Sequence, residues 1–164
     1  MMVLQLHITL EETNTIYRTI ELEETMTFEQ LTEVIHIAFD YTDFGSYLFH
    51  IKKSNGKIAD QYIGVDFEQD FAIDESLILD DEEEIIANWL KQEGDLAQYV
   101  LADSEVTFDI EVKRYAKGNN TVHYPRCIAG QGYIDGKDGV VDTEELSEEL
   151  SFICALSNDM VEDF

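Results

Sequence analysis

The chain has 164 residues, which suits one domain with a real core. Apolar residues make up 45% of it, including nine Phe, eight Tyr and one Trp, and exclude a disordered chain. Thirty-six acids against ten bases leave a net charge of −26, which argues against direct binding to nucleic acid or an anionic membrane. A basic protein partner, a cation or a role as a duplex mimic stays compatible with that charge.

Two cysteines make no disulfide framework, so Cys127 and Cys154 read as buried thiols of a cytoplasmic protein. The N-terminus lacks a basic region followed by an apolar run, and no stretch reaches the ~20 apolar residues of a membrane span. The expectation is one domain over 1–156, with an acidic loop near 66–80 and a frayed tail at 157–164.

From Val3 to Leu10 the residues alternate, with Leu4, Leu6, Ile8 and Leu10 on one face, which predicts a half-buried strand. A second strand, Ile16 to Leu22, follows a polar turn and makes a hairpin with the first. Thr27 and Gln30 form a capping-box pattern. Behind it Phe28, Leu31, Ile35, Ala38 and Phe39 recur at helical spacing, so a helix spans Phe28 to Phe39, with His36 and Asp40 assigned to its polar face. Tyr47 to Lys52 is a third strand. The opening is strand, strand, helix, strand, in the manner of a β-grasp.

Ser54-Asn55-Gly56-Lys57 is a turn, and Ile58 to Ile63 a short return strand. Between Asp66 and Asp95 stand twelve acids and a single base, Lys91. The first half of that stretch reads as a loop. The second, Asp81 to Gln92, reads as a helix with acids in its first turn and Gly94 past its end. Ala97 to Leu101 and Val106 to Lys113 form an antiparallel pair. A last helix runs from Thr143 to Leu156. The fold class is α+β, a mixed or antiparallel sheet with two to three helices.

Scarce residue types concentrate in Tyr124-Pro125-Arg126-Cys127, which holds the chain's single proline, and in Gly130-x-Gly132 just after it. Pro125 fixes its own backbone and the glycines permit shapes other residues resist. The cluster reads as an ordered turn with Tyr124 and Cys127 turned inward and Arg126 outward.

The order of these pieces resembles the plasmid pRiA4b ORF-3-like family, whose members are often labelled passenger proteins of insertion elements. Leu4-x-Leu6-x-Ile8-x-Leu10, Ile16-Tyr17-Arg18-x-Ile20, Thr27-Phe28-x-x-Leu31 and Asp109-Ile110-Glu111 carry the resemblance. Tyr124-Pro125-x-Cys127-x-x-Gly130-x-Gly132 is its most recognisable part, with Asp138-Gly139 downstream. Several of the family's polar positions are replaced here, and Asp103 is what survives of an Asp-Phe-Gly-Asp run. The resemblance implies a fold; the family has no established activity to carry over.

Five residues are candidates for binding: Arg18, Asp103, Tyr124, Cys127 and Asp138. Arg18 is in phase with Ile16 and Ile20, so it faces inward. A buried guanidinium needs a carboxylate or several carbonyls, and a carboxylate partner is the expectation. It serves either as an anion anchor or as a structural ion pair. Ile134 to Glu145 imitates a calcium loop but has Ile134 and Gly136 where oxygen ligands belong, so Asp142 or Thr143 capping the last helix explains it better. His7, His36, His50 and His123 have no metal spacing, and neither metal nor cofactor is expected. Cys127 with His123 is a candidate thiol–base pair. The leading functional reading is a non-enzymatic acidic interaction protein. Its rival is a small hydrolase or nucleic-acid-modifying accessory with Arg18, Asp103, Asp138 and Cys127 in one cleft.

Overall fold

A computed structural model describes residues 1–13, 15–42, 45–104, 106–134 and 139–162, with the backbone alone from 154 onward. Strands β1 (Met2–Leu10) and β2 (Tyr17–Glu23) form the expected hairpin. Leu4, Leu6, Ile8, Ile20 and Leu22 lie inside, because successive strand side chains point to opposite faces. Helix α1 (Phe28–Ala38) begins at Thr27 with both hydrogen bonds of the capping box in place.

One residue of α1 departs from expectation. His36 is buried, its ring nitrogens bonding the Tyr41 carbonyl (2.9 Å) and the Tyr99 hydroxyl (2.8 Å). It follows Phe28 and Thr32 at four-residue steps, which places all three on the packed side of the helix.

Strands β3 (Tyr47–Ser54) and β4 (Lys57–Val65) turn at Asn55-Gly56, and β4 is longer than the sequence suggested. The acidic stretch after it holds two single 3-10 turns, Phe67–Gln69 and Glu75–Leu77, and then β5 (Ile78–Asp80), which pairs parallel with β4. No helix forms over Asp81 to Gln92, where the chain makes a turn, an extended residue at Ile85 and one 3-10 turn, Ile86–Asn88. The reason is tertiary. The Glu84 and Asp81 carbonyls accept the Phe28 and Glu29 N–H groups (3.1 and 3.0 Å), and Ile86 N–H donates to the Met26 carbonyl (2.9 Å). This segment therefore completes the start of α1, which has unpaired N–H groups to satisfy, and it seats Ile86 and Leu90 in the core.

Strands β6 (Leu96–Leu101) and β7 (Thr107–Lys117) pair as expected. β8 (Arg126–Gln131) follows the proline cluster and pairs with β2, and α2 (Thr143–Glu162) runs past the expected end at Leu156. Asp142 Oδ1 accepts the Glu144 and Glu145 N–H groups (3.2 and 3.1 Å), the cap read from the sequence.

The eight strands form one mixed sheet in the order β5-β4-β3-β6-β7-β1-β2-β8. The opening order of strand, strand, helix, strand is observed, with β6 and β7 lying between β3 and β1. A single apolar cluster joins the inner sheet face to α1, α2 and residues 86–90. The opposite face carries His7, Thr9, Lys52, Gln98 and Asp109.

Candidate functional site

Arg18 sits on β2 in phase with Ile20 and Leu22, and it is 0% exposed. It has no carboxylate partner among the described residues, against expectation. Backbone carbonyls take that place. Nε donates to Ala38 O (2.8 Å), and Nη1 donates to Tyr17 O (2.8 Å) and Gln131 O (3.0 Å). Phe39 and Tyr133 lie over the guanidinium, with centroids 4.7 and 5.2 Å away. The end of α1 presents its last carbonyls here, and a cation at a helix C-terminus satisfies both those acceptors and the dipole. Burial lowers the Arg18 pKa from its ordinary value. Nη2 is buried without a hydrogen-bond partner.

Gly130 is explained by this side chain. A Cβ there would stand 2.8 Å from Arg18 Cδ and 3.2 Å from Val141, so only glycine lets the arginine stem cross β8. Gly132 adopts φ +76 against the Thr15 carbonyl, a left-handed backbone that glycine takes without penalty.

The proline cluster is arranged as read. Tyr124 and Cys127 are 6% and 3% exposed, the chain turning at a cis Tyr124–Pro125 bond, while Arg126 reaches outward to Glu21 (2.8 Å). The Tyr124 hydroxyl accepts the Asn119 N–H (3.1 Å). The Cys127 thiol donates to Ala129 O (3.2 Å), and burial pushes its pKa up, so it is no ready nucleophile. Ser147 of α2 covers the backbone of this edge strand: Cys127 N–H donates to Ser147 Oγ (3.0 Å), and that hydroxyl donates to Cys127 O (3.2 Å). His123 lines the same open groove, of about 810 Å³, without bonding the thiol.

The other candidates lie apart. Asp103 is exposed in the β6–β7 turn, between strands three and two positions from β2 in the sheet order. Asp138 falls outside the described residues, as do residues 135–137 of the calcium-like loop. Arg18 faces one cavity and Cys127 another. Among the described residues, no three His, Cys, Asp or Glu side chains lie close enough to hold a metal ion. No described helix is long and apolar enough to cross a membrane.

Sequence reasoning missed a recess of about 580 Å³ between the start of α1 and strands β4 and β5. Glu29, Asp80, Asp81 and Glu82 line it beside Phe67 and Ile78. Desolvation first, then a hydrogen bond with Glu82 and the charges of Glu82, Asp81 and Glu33, raises the Glu29 pKa to about 7. Burial also raises the pKa of Asp81, which accepts a hydrogen bond from the Tyr47 hydroxyl. Phe67 and Leu77 are 58% and 57% exposed on this flank. The clustered acids of 80–84 signalled the charge, and their apposition to Glu29 had no local signal.

The family model described as plasmid pRiA4b ORF-3-like protein matches residues 2–151. No curated protein matches the chain. A crystal structure of a protein of unknown function from Methanosarcina mazei Go1 is similar in fold, with a TM-score of 0.66 and 17% identity, over 80% of this chain and 70% of that one.

Proposed function

The chain belongs to the plasmid pRiA4b ORF-3-like family, and from that premise we propose that it is a cytoplasmic, strongly acidic interaction protein, associated with mobile elements, that docks a basic protein partner. The observation that carries this reading is the recess beside Glu29 and Glu82. It offers several carboxylates in a space of about 580 Å³, with exposed Phe67 at its margin. An arginine or lysine entering there takes the place of the proton that Glu29 holds near neutrality and relieves repulsion among the acids. Phe67 and Leu77 supply the apolar contact that pure charge attraction lacks. Arg18 and Cys127 line different cavities and Asp103 lies in the β6–β7 turn, which gives no support to the hydrolase reading, since it needs them in one cleft.

The test is calorimetric titration of the full chain at about 0.15 M salt, where long-range attraction is screened. One peptide alternates Arg with Leu, and a control of equal charge alternates Arg with Ser. The Arg–Leu peptide is expected to bind more tightly, and Phe67→Ser and Glu82→Gln are each expected to weaken it about tenfold, or ~1.4 kcal/mol. Equal binding of both peptides, indifferent to both substitutions, would reduce the flank to a solvated acidic surface.

A further inference from the structure

Arg18 is wholly buried, yet no carboxylate among the described residues neutralises it. Three donations to carbonyls hold its position, and Nη2 has no partner. Leaving a buried charged donor unpaired is costly, and folded proteins rarely tolerate it without a function or a bound partner. Arg18 also forms part of the wall of a cavity of about 250 Å³ between the end of α1 and the first turns of α2. That volume far exceeds the roughly 30 Å³ share of one water molecule and suits a compact organic molecule.

The rest of the wall narrows the choice. Asp40, Asp142, Glu145 and Glu149 line the cavity, together with Tyr133 and Leu146. A simple anion such as phosphate would meet these carboxylates and be repelled. A simple amine would leave the guanidinium unpaired. A molecule with both charges satisfies both ends. We infer that this cavity binds a small zwitterion of the amino-acid type, its carboxylate on Arg18 Nη2 and its ammonium among the carboxylates of α2 and Asp40.

The two aromatic rings fit that role. Phe39 and Tyr133 lie over the guanidinium and hold its plane, and with Nε and Nη1 already donating to carbonyls the Nη2 N–H groups are left to meet a carboxylate oxygen. Nη2 exposes no surface to the cavity as it stands, so a ligand carboxylate reaches it only as the half-buried Tyr133 ring over the guanidinium shifts aside. Gly130 leaves room for the arginine stem, whose Cδ a Cβ there would meet at 2.8 Å.

The experiment uses the full chain and follows the Arg18 Nε–Hε signal by nuclear magnetic resonance. Glycine, L-alanine, β-alanine and γ-aminobutyrate are the zwitterionic probes; acetate, propylamine and phosphate carry one sign of charge each. At least one zwitterion is expected to shift the signal saturably and to bind at least tenfold more tightly than every single-sign probe. Arg18→Met is expected to abolish that binding. Because Arg18→Met also removes carbonyl contacts, the decisive variant is Glu145→Gln with Glu149→Gln, on the exposed side of α2, expected to weaken the zwitterion at least tenfold. The inference is overturned if no zwitterion moves the signal at tens of millimolar. It is equally overturned if acetate or phosphate binds as tightly, or if the double variant binds like the parent.

Discussion

At the scale of the residue, Arg18 and Cys127 show how phase and partner separate. Alternation along β2 sends Arg18 inward, and the structure agrees. Its partners, however, are carbonyls from β2 itself, the end of α1 and the end of β8, none of which strand periodicity reveals. Cys127 is a milder case. Its thiol is buried and already donates to the Ala129 carbonyl. A serine hydroxyl inherits that acceptor, so Cys127→Ser is expected to cost about 1 kcal/mol, the low end for a polar group placed in an apolar site. A denaturant melt measures the cost, and slow thiol labelling of the native protein checks the burial. Rapid labelling with unchanged stability would mean that the thiol lies at the surface.

At the scale of the element, two connections tie segments that lie far apart in the chain. Asp95, fully buried just before β6, accepts backbone N–H groups from Asn55 (2.8 Å), Gly56 (2.9 Å), Lys91 (3.1 Å) and Gln92 (2.9 Å). One carboxylate thus ties the β3–β4 turn to the segment before β6. Asp95→Ala leaves those donors without a partner and is expected to cost at least about 3 kcal/mol, read from the denaturant midpoint. A loss under about 1 kcal/mol would show that water replaces the carboxylate. The second connection is the packing of residues 81–86 against the start of α1, which brings Glu82 to Glu29. Glu29 goes from an ordinary 4.5 to about 7 on folding. The folded state therefore holds a proton that the unfolded chain releases across that interval, and stability falls as pH rises through it. Glu33 and Asp81 are pushed the same way. Glu29→Gln is expected to flatten the decline of the thermal midpoint between about pH 5 and pH 7.5 and to stabilise the protein above it. An unaltered slope in that variant would place the proton elsewhere.

At the scale of the whole molecule, the net charge of −26 acts on every element at once. Self-repulsion weakens a compact state, and salt shortens its range from about 30 Å at 0.01 M to about 8 Å at 0.15 M. The thermal midpoint is expected to rise over that interval, equally with sodium and potassium chloride. Stabilisation by micromolar calcium alone would instead point to a specific ion site. The amino-acid order by itself determined the inner faces of β1, β2, β6 and β7, the capped start of α1, the β3–β4 turn and the inward setting of Tyr124 and Cys127. Each of these depends on neighbours a few residues apart, through side-chain alternation, helical spacing or backbone restriction. Tertiary structure alone decided that residues 81–92 would complete α1 instead of forming a helix, that β5 would run parallel to β4, and that His36 would face the core. It also gave Arg18 carbonyls in place of a carboxylate and set Glu29 against Glu82. These outcomes rest on hydrogen bonds and desolvation between segments far apart in the chain, whose free energies outweigh local preference and leave no trace in local periodicity.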